Sequence, residues 1–336
     1  MGRLRASDSG RVVGPKAANL GELKYRFPET VAEGLAIPFG HFRTLLDQAL
    51  EPDGPSAFHW MQTRYAQIRD LAADPQRRDE AVRRLLRRMH DWILQADAGR
   101  DFRERLRAAM EQAFGPDGTY GVFVRSDTNA EDLPGFTGAG LNLTVPNVVG
   151  FENVLQAISR VWASPFTERA YRWRQANMDQ PEHIYVSVLL MKSVPVEKSG
   201  VMVTADIESG RAGWLSIAVN EGVGGAVADQ KAEELRINMQ DGPERLLDPE
   251  EIARLIEFAR RLPESFPELR DDHGRPVPAD IEFGFYQKRL ALFQIRPFLE
   301  SIRARQNLFL NRLDQNLDAA YARTVALEVV PGEETP

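Results

Sequence analysis

Two stretches near the C-terminal end, DIEFGFYQ (280–287) and RLALFQIRP (289–297), carry residues whose types and spacing could handle a phosphorylated ligand. Both are rich in Ile, Leu and Phe and read as strands. Side chains alternate between the faces of a strand, so Asp280, Glu282 and Gly284 share one face while Ile281, Phe283 and Phe285 share the other. Gln294 and Arg296 likewise share a face. A hairpin with its turn centred on Lys288 would set Glu282 opposite Gln294 and Asp280 opposite Arg296. Carboxylate and amide oxygens suit Mg²⁺, which takes few protein ligands and completes its shell with water and substrate phosphates. An arginine beside them suits a phosphate oxygen. The same pattern also fits an edge hairpin whose polar face is solvated around an Asp–Arg pair.

A second candidate lies in VFVRSDTNAEDLPGFTGAG (122–140). Arg125 ends an apolar strand, so its charge needs an anion or a cleft. The run that follows supplies Gly135, Gly138 and Gly140 with Thr137 between them. Glycines let backbone amides approach a ligand closely, as in phosphate-holding loops. No Gly-Lys-Ser/Thr follows, so this is not a Walker A loop. NEGVGGAVADQ (220–230) lacks the spacing of a dinucleotide fingerprint. Lys16, in VVGPKAANLGEL, stands where a helix should begin, and a helix N-terminus with an ammonium group can hold an anion. An ordinary exposed lysine is the plainer reading of that position.

Composition limits the alternatives. The 336 residues contain no cysteine, which excludes disulfides, thiolate catalysis and iron–sulfur clusters within them. A net charge of -7 argues against nucleic acid as a partner. There is neither a signal-peptide pattern nor an apolar run of membrane length, so a cytoplasmic protein with no membrane partner is expected. Asn142-Leu143-Thr144 matches a glycosylation sequon, a chance match in such a setting.

The elements that must position these residues follow from periodicity. Leu20, Leu23 and Phe27 mark a helix after Lys16. EGLAIPFGHF (33–42) reads as extended with a turn. Residues 56–114 read as helical; Val82, Leu85, Leu86, Met89 and Ile93 form one stripe, and Arg83, Arg84, Arg87 and Arg88 a solvated face opposite it. Six strand patterns follow from residue 120, with helices at 151–177 and 248–262, so the fold class is α+β.

VGPKAANLGELK, VFVRSDTNAEDLPGFTGAG, KSGVMVTAD and DIEFGFYQKRLALFQIRP occur in this order. Together they resemble the N-terminal nucleotide-binding domain of the phosphoenolpyruvate synthase, pyruvate phosphate dikinase and glucan water dikinase family, over roughly residues 12 to 300. The resemblance implies an ATP-grasp fold, two α+β lobes clamping ATP and Mg²⁺. It implies a first lobe over 1–188 with a helical insertion and the Gly-rich lid, a second over 189–300 with the metal-binding hairpin, and a helical tail or linker over 301–336. It casts Lys16, Arg125 and Arg296 as the phosphate-gripping catalytic cations. Gly135, Thr137, Gly138 and Gly140 become the lid, Glu282 and Gln294 the magnesium ligands, and Asp280 a support for the nucleotide site. Leu189 stands where many relatives carry Gln, and Gly225 where some carry Glu. The family passes phosphate from ATP, leaving AMP, to a histidine on a swivelling domain and then to an acceptor. None of His41, His59, His90, His183 and His273 has that setting. The histidine and acceptor domains are therefore expected elsewhere in a longer protein or on a partner subunit. The alternative is an ATP-binding regulatory or interaction module without turnover.

Overall fold

A computed structural model describes residues 3–131, 143–207, 212–222, 233–238, 247–266, 269–270 and 274–298. Helix α1 (Pro15–Arg26) comes first, with Pro15 at its opening position, where a missing N–H costs nothing. β1 (Gly34–Ile37) follows. Pro38 then caps α2 (Phe39–Leu46), a correction to the extended reading of 33–42. Phe39, Phe42, Leu45 and Leu46 recur at helical spacing and are buried, which outweighs the local Pro and Gly. The helical stretch at 56–114 divides into α3 (Ala57–Asp70), α4 (Pro75–Gln95) and α5 (Arg100–Phe114). Pro75 opens α4, and Gly99, at φ 90°, opens α5. The four arginines expected on the outer face of α4 are exposed.

β2 (Gly121–Thr128), β3 (Thr144–Val149), α6 (Phe151–Ala163), α7 (Glu168–Asn177) and β4 (Val186–Lys192) complete the first lobe. Its antiparallel sheet has the order β1-β4-β2-β3. One face, with Val122, Val124, Val186, Val188 and Leu190, is buried under the helices around Trp162. Each such apolar side chain contributes about 1.5–3 kcal/mol on burial.

The second lobe holds β5 (Lys198–Val203), β6 (Trp214–Glu221), β7 (Glu233–Asn238), α8 (Pro249–Ser265), β8 (Ala279–Tyr286) and β9 (Arg289–Pro297). Its sheet runs β7-β6-β5-β8-β9, again antiparallel. Ile281, Phe283 and Phe285 face a core that also contains α8. The opposite face, with Asp280, Glu282, Gln294 and Arg296, turns toward the first lobe.

The expected division at 188/189 needs correcting in two respects. It falls inside β4, an apolar run buried on both faces: Val188 and Leu190 enter the first core, Leu189 and Met191 the second. Helix α1 also packs into the second core, through Ala17, Ala18, Leu20 and Leu23. Thr30 accepts a hydrogen bond from the Leu292 amide at 2.7 Å, so the chain after α1 runs alongside β9. The expected tail at 301–336 lies outside the described residues.

Candidate functional site

The β8–β9 hairpin sets the expected pairs. Glu282 is opposite Gln294 and Asp280 opposite Arg296. The turn differs from the one expected. Tyr286 pairs with Arg289, so only Gln287 and Lys288 form it, both at positive φ (48° and 60°), as in the primed two-residue hairpin turns. A regular hairpin from that turn would set Phe293 opposite Glu282 and send Gln294 into the core. A bulge between Glu282 and Phe283 on one strand, with Phe293 as the extra residue on the other, restores the register. The core-facing side chains change parity accordingly: Leu290 and Leu292 before the bulge, Ile295 after it. The bulge also sets the Phe293 carbonyl toward Arg125, whose Nη1 donates to it at 3.4 Å.

Arg125 crosses from β2 to this hairpin. Its Nη2 donates to Glu282 Oε2 and to Gln294 Oε1, each at 3.0 Å. Two hard oxygens thus converge on one cationic nitrogen. Arg125 is only 6% exposed, and its Nε is buried with no hydrogen-bond partner. Such an orphaned donor is costly unless an acceptor arrives. Arg296 donates from Nε to Asp280 Oδ2 at 2.6 Å. Burial raises the Asp280 carboxyl above its usual range, with Glu282 adding to the rise and Arg296 opposing it.

Lys16 sits at the start of α1. Its ammonium donates to the Ser126 carbonyl at 3.2 Å and forms an ion pair with Glu131. Glu131 also accepts from the Thr128 amide at 3.0 Å. The helix terminus itself is not open to an anion, a correction to the sequence reading. The Lys16 and Ala17 amides donate to the two carboxyl oxygens of Asp127, at 2.8 and 3.2 Å. Ser187 Oγ donates to Asp127 at 2.8 Å. Burial and the neighbouring Glu131 push the Asp127 carboxyl up to about 7, while Lys16, Ser187 and the Ala17 amide pull it back.

Asp127 and Glu131 were not singled out from sequence. Asp127 follows Arg125 by two residues, on the same strand face, and that parity was the available signal. Each of the three expected phosphate-gripping cations is thus joined to a carboxylate of the chain: Lys16 to Glu131, Arg125 to Glu282, and Arg296 to Asp280. Gly135, Thr137, Gly138 and Gly140 lie outside the described residues, as does Gly225. Leu189 is fully buried, paired with Ala36 on one side and Arg125 on the other. His183 packs edge-on against Phe58 at 5.5 Å. Among the described residues no cluster of three or more His, Asp or Glu is arranged for a metal. The donor pair Glu282–Gln294 fits Mg²⁺ only if phosphate or water completes its shell.

The profile of the pyruvate phosphate dikinase AMP/ATP-binding domain matches residues 10–241. The chain belongs to that family. It is 30% identical to the rifampicin phosphotransferase of Bacillus subtilis (strain 168) over 233 residues, 69% of this chain and 25% of that protein. It is 29% identical to a probable phosphoenolpyruvate synthase of Archaeoglobus fulgidus over 320 residues, 85% of this chain and 39% of that protein. The chain therefore spans between about a quarter and two-fifths of the length of these relatives. Among solved structures, the ADP complex of N5-carboxyaminoimidazole ribonucleotide synthetase aligns over 61% of this chain and 40% of its own, at 16% identity and a TM-score of 0.30. That likeness is too low to carry weight. The two-lobed α+β architecture agrees with the ATP-grasp fold expected of a family member. No helix among the described residues is long and apolar enough to cross a membrane.

Proposed function

We propose that this chain is the ATP-binding phosphotransfer part of a dikinase-like enzyme. The triphosphate would lie between the Arg125 strand and the β8–β9 hairpin. Glu282 and Gln294 would hold Mg²⁺, which supplies charge neutralisation at the phosphate oxygens. Arg125, Lys16 and Arg296 would supply the same from the protein side, and Asp280 would orient Arg296. Phosphoryl transfer depends chiefly on positioning and on such neutralisation. The observation that carries the reading is the convergence of Glu282 and Gln294 on Arg125, whose Nε still lacks an acceptor.

With Glu282 and Gln294 engaged in holding Mg²⁺, the Arg125 guanidinium, which donates to both here, would be free for phosphate. The site would thus change partners on loading rather than wait as bare positive charge. The Gly-rich segment around Gly135 and Thr137 would close over the phosphates. The β-phosphoryl group would pass to a histidine on a swivelling domain, in the full-length protein or a partner subunit, and the γ-phosphoryl group to water or inorganic phosphate, leaving AMP. An acceptor-binding domain would receive it next, and the relatives' names suggest pyruvate or an antibiotic as the class of acceptor.

The test is phosphohistidine formation on a supplied swivelling domain, with ATP labelled at the β-phosphate. Label on the partner that is lost in Glu282→Gln and Arg296→Ala is the expected result. Transfer at the wild-type rate in both variants would overturn these roles.

A further inference from the structure

We infer that Asp127 is a positioning residue for Lys16, holding the first turn of α1 against β2 so that the lysine ammonium reaches the Ser126 carbonyl and Glu131. The inference deepens the function proposed above and rests on Lys16 meeting phosphate there.

Four observations carry it. Asp127 is fully buried, and its two oxygens accept the amides of Lys16 and Ala17. Those amides are among the orphan donors of a helix start, which a residue at the cap normally satisfies. Here the cap is Gly14, with no side chain to offer. Any side chain at that position would collide, since a Cβ on Gly14 would lie 2.3 Å from Asp127 Oδ1. The arrangement thus forgoes a cheap local cap and uses a buried carboxylate 111 residues away. A local cap would end the helix equally well, but it would not tie the helix to the strand.

The tie is braced from a third element. Ser187 on β4 donates to Asp127 and accepts from the Gly14 amide at 2.9 Å. Strand β2 therefore presents two functional side chains on one face: Arg125, and two residues on, the group that fixes the lysine. With its backbone fixed, Lys16 reaches the Ser126 carbonyl and Glu131. The charged groups facing Asp127 are Lys16 and Glu131, so the lysine is held at both ends by carboxylates.

A double-mutant cycle in nucleotide affinity separates positioning from mere support of the fold. Mg-ATP affinity would be measured by calorimetry at pH 8 for wild type, Asp127→Asn, Lys16→Met and the double variant. Asp127→Asn keeps the shape and one acceptor. We expect it to weaken binding about tenfold in the wild-type background and less than about twofold beside Lys16→Met. Ser187→Ala should show the same dependence with a smaller loss, and it serves if Asp127→Asn does not fold. An equal loss in both backgrounds, or no loss, would overturn the positioning role. Wild-type affinity in Lys16→Met would instead remove the phosphate role of Lys16 on which the inference rests.

Discussion

Arg125 on β2 and Glu282 on β8, 157 residues apart in sequence, meet at 3.0 Å and join the two lobes. Glu282 keeps some contact with solvent, its side chain 17% exposed, while the arginine is almost wholly covered. Removing one member of such a pair leaves the other charge without compensation. Arg125→Met should therefore destabilise the chain by about 3 kcal/mol in urea unfolding, near the low end for a buried pair. It should also abolish Mg-ATP binding. A variant as stable as wild type would show that the pair contributes nothing between the lobes.

The contact of Gly14 with Asp127 makes a steric prediction. Gly14→Ala forces a methyl group to 2.3 Å from the Asp127 Oδ1 that accepts the Lys16 amide, on a side chain that is fully buried. Overpacking of that kind costs about 1–3 kcal/mol. Gly40 gives the contrast, since it lies in α2 and nothing stands within 4 Å of its missing Cβ. Gly40→Ala should be neutral or stabilising by up to about 1 kcal/mol. Paired melting curves would check the difference, and equal effects at the two positions would refute it.

Burial gives the Asp127 carboxyl a folded value of about 7, against an ordinary value of 3.8. The folded chain then holds this proton more tightly than the unfolded chain. Its contribution to stability is fully present below about pH 4 and is lost as pH rises toward 7, by roughly 2–4 kcal/mol. Asp127→Asn has no such proton to lose. Its stability relative to wild type should therefore improve between pH 5 and pH 8. Urea unfolding at the two pH values measures this, and a gap that stays constant would contradict the assignment.

The polar face of the hairpin was legible in sequence because strand periodicity fixes which side chains share a face. Its register was reached through a three-residue turn, whereas the chain uses a two-residue turn and a bulge. The two shifts cancel at Glu282 and Gln294. The break in apolar spacing between Leu292 and Ile295 was the visible sign of the bulge. Strand β3 carries little apolar alternation because Pro146 and Asn147 interrupt it and none of its side chains is buried. The place of Asp127 could not be read locally at all, because its partners on α1 and β4 are 110 and 60 residues distant. The same holds for α1, whose apolar face was plain but whose docking on the second sheet was not.

The central claim is that magnesium and a triphosphate meet between Arg125 and the hairpin. The most direct measurement is thermal unfolding with and without Mg-ATP, for wild type and for Glu282→Ala and Arg296→Ala. Ligand at a hundred times its dissociation constant should add about 2.7 kcal/mol, a rise of several degrees. The account predicts a rise that needs magnesium and disappears in both variants. No rise in wild type, or the same rise in all three proteins, would contradict it.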